Sequence, residues 1–137
     1  MKCKSKSILI ERAIKIVIKE ARIKRLLVSG LKETIKFIIQ KNGYLCVLAK
    51  NCELKSYRIS IKALCLKLNV KIVIFSNKKR LGRLTRQIKR KKHMKFNYKI
   101  IPCSSCLVIV IIIIYKDSKK LNKKHGYYKF INYFLKK

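Results

Sequence analysis

The sequence predicts an α/β protein: a three-layer α/β/α sandwich on a mixed sheet of roughly four strands. Three observations carry this. Segments with apolar residues at helical spacing alternate with short, uninterrupted apolar segments, the mark of strands covered on both faces. Hydrophobic residues form 50% of the 137 residues, enough for a core despite a formal net charge of +32. No stretch rich in Pro, Gly or Ser divides the chain and no internal repeat is visible, so one domain over 1–137 is expected. Its core is placed at about 8–115, with a basic N-terminal end and a tail, 116–137, that are expected to be less ordered.

A first helix is read over 10–21, where Ile10, Ala13, Ile14, Val17, Ile18 and Ala21 form one stripe. Lys15, Lys19 and Arg22 lie largely off it. A short apolar segment, 26–28, ends at Ser29-Gly30. Ser29 is the expected N-cap of a second helix running to about Lys41, with Gly43 as its stop. Residues 45–49 read as a buried strand. A third helix is expected over 56–68, with Ile59, Ala63, Leu66 and Leu68 facing inward. The next strand is 70–75, followed by a turn at Ser76-Asn77 and a short basic helix from Lys79 to about Arg90. A polar segment, 91–97, leads to a strand at 107–114, where β-branched residues dominate, and the aromatic tail 127–135 suits a last helix.

Charge narrows the function. The chain holds 37 Lys and Arg against five acids. Disordered basic tails reach such an excess by losing apolar residues, whereas this chain keeps them, so it should fold and present a cationic surface to a polyanion. Lys, Ile and Asn are abundant and Ala is scarce, the bias of AT-rich coding, so part of the Lys content is compositional. The scarcity of acids has no such explanation. The longest uncharged stretch, 100–115, is 16 residues interrupted by Pro102, Ser104 and Ser105. A spanning helix needs about 20 mainly apolar residues, so no membrane partner is expected.

The six cysteines are Cys3, Cys46, Cys52, Cys65, Cys103 and Cys106. The opening residues, broken by charge every few positions, do not read as a secretory signal. Cys46 and Cys65 sit in apolar patterns as small hydrophobes, which favours a reducing compartment over a disulfide scaffold. Cys103 and Cys106 form a C-x-x-C, but a structural zinc site needs four ligands and there is no second such pair. A redox pair should open a helix, and this one opens a strand. His93 and His125 have no Cys or acid at ligand spacing. With no paired carboxylates, no Ser/His/Asp set and no glycine-rich phosphate loop, neither a metal, a cofactor, a small-molecule substrate nor an enzymatic activity is expected.

Three blocks resemble a known family. YLCVLAKNC (44–52) looks like its central strand and following turn, and KALCLKLNVKIVIFSNKKRLGRL (62–84) like its third helix, third strand and basic NKKxLG turn. GLKETIK (30–36) is similar to its G-x-[KR]-E-x-x-K helix start. The family is the eukaryotic small-subunit ribosomal protein twelve, within the kink-turn-binding ribosomal protein superfamily. The resemblance covers roughly residues 10–115 and needs no gap between Gly30 and Leu84. It implies an α/β/α sandwich in the small ribosomal subunit, bound to rRNA near the head and beak, beside neighbouring ribosomal proteins in the cytoplasm. In the wider superfamily the second helix starts Gly-x-Asn-Glu-x-x-Lys and grips the sheared pairs of a kink-turn. Gly30, Glu33 and Lys36 match that pattern, but Lys32 stands at the Asn position, as a basic residue does in the small-subunit branch. The alternative function, a kink-turn protein of a small nucleolar ribonucleoprotein, is therefore the less favoured.

The candidate RNA-binding residues are Gly30, Lys32, Glu33, Lys36, Lys78, Lys79, Arg80, Arg83 and Arg86. A glycine at a helix start lets backbone and phosphate approach, and the unpaired N–H groups there bind anions. Lys32 and Lys36 are four apart, on one helix face. Two roles fit Glu33: accepting from a guanine edge, or complementing the helix dipole. The cations of SNKKRLGRLTRQ surround Gly82, and Arg suits phosphate because its planar fork bonds two oxygens. The run KRKKHMK (89–95) with Phe96 and Tyr98 mixes cations and rings, which suits irregular RNA; a nuclear-import-like run or a disordered loop is the plainer reading.

A folded surface of about 7,500 Å² carries this net charge at a mean spacing of roughly 15 Å, beyond the Debye length of about 8 Å at physiological salt. Self-repulsion is therefore screened there and felt at low salt. The melting temperature of the free protein is expected to rise as salt increases from the millimolar range; thermal melts that fall instead would contradict this.

Overall fold

Strands that are apolar on both faces need helices above and below, and among the described residues the fold supplies two on each side. The computed structural model describes residues 2–90 and 98–109. Its elements are α1 (Lys2–Ile23), β1 (Leu27–Ser29), α2 (Leu31–Ile39), β2 (Gly43–Ala49), α3 (Lys55–Lys67), β3 (Lys71–Phe75), α4 (Lys78–Leu84), β4 (Ile88–Arg90), β5 (Tyr98–Ile100) and β6 (Ser105–Ile109). The main sheet has the order β1-β6-β2-β3, with β2 and β3 parallel and β6 antiparallel to both its neighbours.

Alternation along the central strands sorts the core into two layers. Leu45, Val47 and Ala49 of β2 join Cys106 and Val108 of β6 and Val73 and Phe75 of β3 on one face. There they meet Ala13, Ile14, Val17, Ile18 and Ala21 of α1 and Leu81 of α4. Cys46, Leu48 and Leu107 face the other way, onto Ile38 of α2 and Ile61 and Cys65 of α3. Each fully buried Ile, Leu or Val contributes about 1.5–3 kcal/mol. The apolar stripe of α1 therefore outweighs the modest repulsion among its exposed, screened cations. Among the described residues, no helix is long and apolar enough to cross a membrane.

Several expectations are corrected. Helix α1 begins at Lys2, well before residue 10. On α3, Ile59 and Leu66 are 65% and 74% exposed, while Ile61 and Cys65 are buried, so the inner face is rotated from the one expected. The sequence of α3 carries two apolar stripes, and its seat against β2 and β3 selects the one with Ile61. The basic helix after Asn77 stops at Leu84; residues 88–90 instead pair with 98–100 in a separate two-stranded ribbon. The last strand starts at Ser105 and is described to Ile109; its expected extension to 114, the segment 91–97 and the tail helix lie outside the described residues.

The four helices among the described residues end in the same way. Arg25, Lys41, Asn69 and Arg86 follow the helix ends with φ between 52° and 59°. In each case the next residue bonds back to the helix: Leu26 to Ala21, Asn42 to Phe37, Val70 to Cys65 and Gln87 to Gly82. These are Schellman ends in which a side-chain-bearing residue occupies the left-handed position that glycine prefers. This explains why the stops were hard to place, since Gly43, the expected stop of α2, instead opens β2. The left-handed conformation costs roughly 1–2 kcal/mol for such a residue, partly offset by the larger unfolded-state entropy of glycine. Lys41→Gly is therefore expected to stabilise the fold by about 0.5–1 kcal/mol, read as a higher denaturation midpoint.

The core cysteines act as buried packing groups. Cys46 of β2 and Cys65 of α3 are hydrogen-bonded thiols, and that bond together with burial pushes the Cys46 thiol far above its ordinary range. Burial likewise raises Cys103 and Cys106.

Candidate nucleic-acid interface

The register brings the candidate residues to one end of the sheet. Ser29 lies opposite Cys106, Leu48 opposite Ser105, and Ala49 beside Phe75, so the last residues of β1, β2 and β3 and the first of β6 are level. The starts of α2 and α4 both leave from this end.

Helix α2 is started by Gly30, at φ 100° and ψ 152°, a region essentially reserved for glycine. Ser29, the expected cap, is the last residue of β1, and no side chain caps the helix. The Gly30 N–H is itself engaged, donating to the Ser105 carbonyl at 3.0 Å. The first helical bond runs from Thr34 N–H to the Gly30 carbonyl at 3.0 Å, which leaves the N–H groups of Leu31, Lys32 and Glu33 without an intrahelical acceptor. A side-chain carbon built at Gly30 would touch nothing within 4 Å, so this helix start opens onto space. Lys32, Glu33 and Lys36 are all exposed. Lys32 and Lys36 flank a shallow depression of about 500 Å³ that Ile35, Ile39 and Gln40 complete.

Helix α4 is capped by Asn77, whose side chain accepts from the Lys79 N–H at 2.9 Å. Its cations divide into two groups. The Lys78 ammonium bonds Glu53 and holds the Glu53 carboxyl below its usual range, and the Lys78 side chain is only 19% accessible. The Lys78 N–H also donates to Asn51 Oδ1 at 2.8 Å. Arg80 lies 3.6 Å from Glu11, whose carboxylate accepts from Ser76 Oγ at 2.9 Å. Lys79, Arg83 and Arg86 are exposed and form no ion pair with any described residue. Asn51, Glu53 and Glu11 are partners that no local sequence pattern announces. Asn51 and Glu53 lie 27 and 25 residues from Lys78 in sequence, and Glu11 is farther still from Arg80.

The two halves of the candidate interface are joined from below. Gln87, just past α4, donates its side-chain amide to Ser29 Oγ, next to Gly30. The Cys103 thiol donates to the Ser105 carbonyl at 3.0 Å and lies against Gly30 and Thr85, so the start of α2 and the end of α4 share one support. Gly82, expected at the centre of a turn, is instead a buried residue within α4, against the backbone of residues 101–103. Arg86 and Gly30 are thus brought together by Gln87, whereas Lys78 is drawn to Glu53 at the opposite end of α4.

A model of the ribosomal protein L7Ae/L30e/S12e/Gadd45 family matches residues 12–96. The chain is 35% identical to small ribosomal subunit protein eS12 of Hordeum vulgare over 97 residues, covering 71% of this chain and 66% of that protein. It is 31% identical to eS12 of Caenorhabditis elegans over 98 residues (72% and 69%) and 28% identical to eS12 of Dictyostelium discoideum over 125 (91% and 84%). Among solved structures, the Giardia lamblia 15.5kD RNA binding protein has the same fold, with a TM-score of 0.64 at 13% identity, covering 86% of this chain and 89% of that one. The chain belongs to the L7Ae/L30e/S12e/Gadd45 family, in its eukaryotic eS12 branch.

A side-chain carbon at position 82 would overlap the Ile101 carbonyl oxygen, which is backbone and has little freedom to move. Gly82→Ala is therefore expected to cost about 3 kcal/mol in chemical denaturation, the upper end of ordinary overpacking.

Proposed function

We propose that the chain is a structural, non-enzymatic constituent of the small ribosomal subunit, acting in translation by binding rRNA through the surface formed by the start of α2 and by α4. A single domain docked among neighbouring ribosomal proteins of the cytoplasmic ribosome is the corresponding arrangement. The observation that carries this reading is the division of charge at one end of the sheet. The local acids Glu11 and Glu53 are taken up by Arg80 and Lys78, while Lys32, Lys36, Lys79, Arg83 and Arg86 are exposed with no ion-pair partner among the described residues.

In this reading the first-turn N–H groups of α2 and the Lys32 and Lys36 ammonium groups take phosphate oxygens, and Gly30 keeps the approach open. Arg83 and Arg86 supply planar forks for further phosphates, with Lys79 as a point charge beside them. Glu33 complements the α2 dipole or accepts from a base edge. Lys78 and Arg80 act chiefly by holding α4 in place, because their charge is already opposed within the chain. Lys32 at the start of α2 favours an rRNA partner over an isolated kink-turn.

Binding to a small-subunit rRNA fragment, measured across salt concentrations, tests the mechanism. With about six phosphates neutralised, the slope of log affinity against log salt is expected to be about −4 to −5; a slope near zero would sink it. Lys36→Ala and Arg83→Ala are each expected to weaken binding more than Lys→Ala changes scattered over the rest of the surface. Discrimination in favour of a kink-turn with intact sheared pairs would instead support the small nucleolar alternative.

A further inference from the structure

The β4–β5 ribbon is not needed to complete the sandwich. Among the described residues its two strands pair only with each other, and all six residues are exposed. The register sets Ile88 opposite Ile100, Lys89 opposite Lys99, and Arg90 opposite Tyr98. Because opposite residues share a face and neighbours alternate, the ribbon has two different sides. One carries Lys89 and Lys99. The other carries Arg90 and Tyr98, with Ile88 and Ile100 nearer the root. None of the six is acidic, and Tyr98 is 58% exposed.

The root of the ribbon is fixed beside the start of α2. Ile101 N–H donates to the Gln87 carbonyl at 2.7 Å, extending the ladder by one step, and the Gln87 side chain reaches Ser29. By the same alternation, Gln87 lies on the lysine side. That side therefore continues the cationic surface around Gly30, and the tyrosine side faces away from it.

We propose that the ribbon is a second RNA-contact site that takes unpaired nucleotides, with Tyr98 stacking on an exposed base beside Arg90 and with Lys89 and Lys99 taking phosphates. This rests on the rRNA-binding reading above and adds to it a separate site with its own preference. The preference for unpaired nucleotides follows from the chemistry. The major groove of A-form RNA is too narrow for side chains to read, so a ring on a ribbon gains little from duplex, whereas an unpaired base offers its whole face. Stacking of one base on an aromatic side chain contributes about 1–3 kcal/mol, which corresponds to roughly 5- to 150-fold in affinity. An uncharged partner is disfavoured by the cations on both sides of the ribbon.

The chain contains no tryptophan, so Tyr98→Trp places a single indole reporter on the ribbon. Its fluorescence is expected to be quenched by an rRNA fragment with an unpaired loop, and much less by a fully paired duplex of equal length. Tyr98→Ala is expected to lose at least about fivefold in affinity for the looped RNA with its salt slope unchanged, while Tyr98→Phe retains binding. Lys89→Ala/Lys99→Ala is expected to flatten the slope by about 1.4, from two phosphates of a single strand. Circular dichroism melts establish that each variant is folded. If wild-type protein binds RNA with a steep salt slope but Tyr98→Trp is not quenched and Tyr98→Ala binds normally, the ribbon proposal is overturned and the α2–α4 reading stands; a protein-covered ribbon gives that outcome. Failure of wild-type protein to bind RNA overturns both.

Discussion

The short segment from Ile101 to Ser105 holds together the end of the sheet where α2 and α4 start. Its backbone accepts or donates at nearly every step. Ile101 N–H reaches the Gln87 carbonyl, Cys103 N–H the Lys78 carbonyl at 3.0 Å, and the Ser104 carbonyl accepts from Ala49 N–H at 2.9 Å. The Ser105 carbonyl takes both the Gly30 N–H and the Cys103 thiol. The segment thereby touches α4 at both ends, the exit of β2 and the start of α2. Gly82 is the steric counterpart, since only a residue without a side chain lets α4 lie this close. Arg22 of α1 adds a brace from the other layer by donating to the Leu84 carbonyl at 2.6 Å.

This arrangement separates two tasks that a highly charged chain must reconcile. Apolar burial in two layers supplies the folding free energy, and the charge lies outside it. At the end where α2 and α4 start, Glu53 and Glu11 oppose Lys78 and Arg80 and leave Lys79, Arg83 and Arg86 without an ion pair among the described residues. Exposed pairs such as Arg80 with Glu11 contribute little to stability. Their effect is on position, since they fix which cations remain open to an anion.

Much of this was legible in the sequence, and the losses have identifiable causes. The alternating layers, β2, β3, the glycine at the start of α2 and the family itself could all be read, because apolar period and local motifs carry them. The inner face of α3 could not, because Ile59 and Leu66 are as apolar as Ile61 and Cys65 and only the sheet decides between them. The end of α4 was missed because Arg86 takes a left-handed conformation without the glycine that usually signals it. The ribbon was hidden because strands of three residues, exposed and basic, show neither burial nor a clear period. Cys103 drew attention as half of a C-x-x-C, whereas its place is under Gly30 and Thr85. Lys78 looked like one more surface cation, and nothing nearby in sequence announced Glu53.

The strand order β1-β6-β2-β3 has a consequence for how such a chain is made. Among the described strands, β1 pairs only with β6, which is the last to be synthesised and must insert between β1 and β2. Until it does, the Ser105 carbonyl is not there to receive the Gly30 N–H, and nothing fixes the close approach that Gly82 permits. A growing chain that is already strongly cationic therefore lacks the finished α2–α4 surface until late in synthesis, and long-range pairing of this kind is slow to form. At that stage the chain is cationic but not yet selective, so an anionic chaperone or early capture by its partner is most useful in the interval before β6 takes its place.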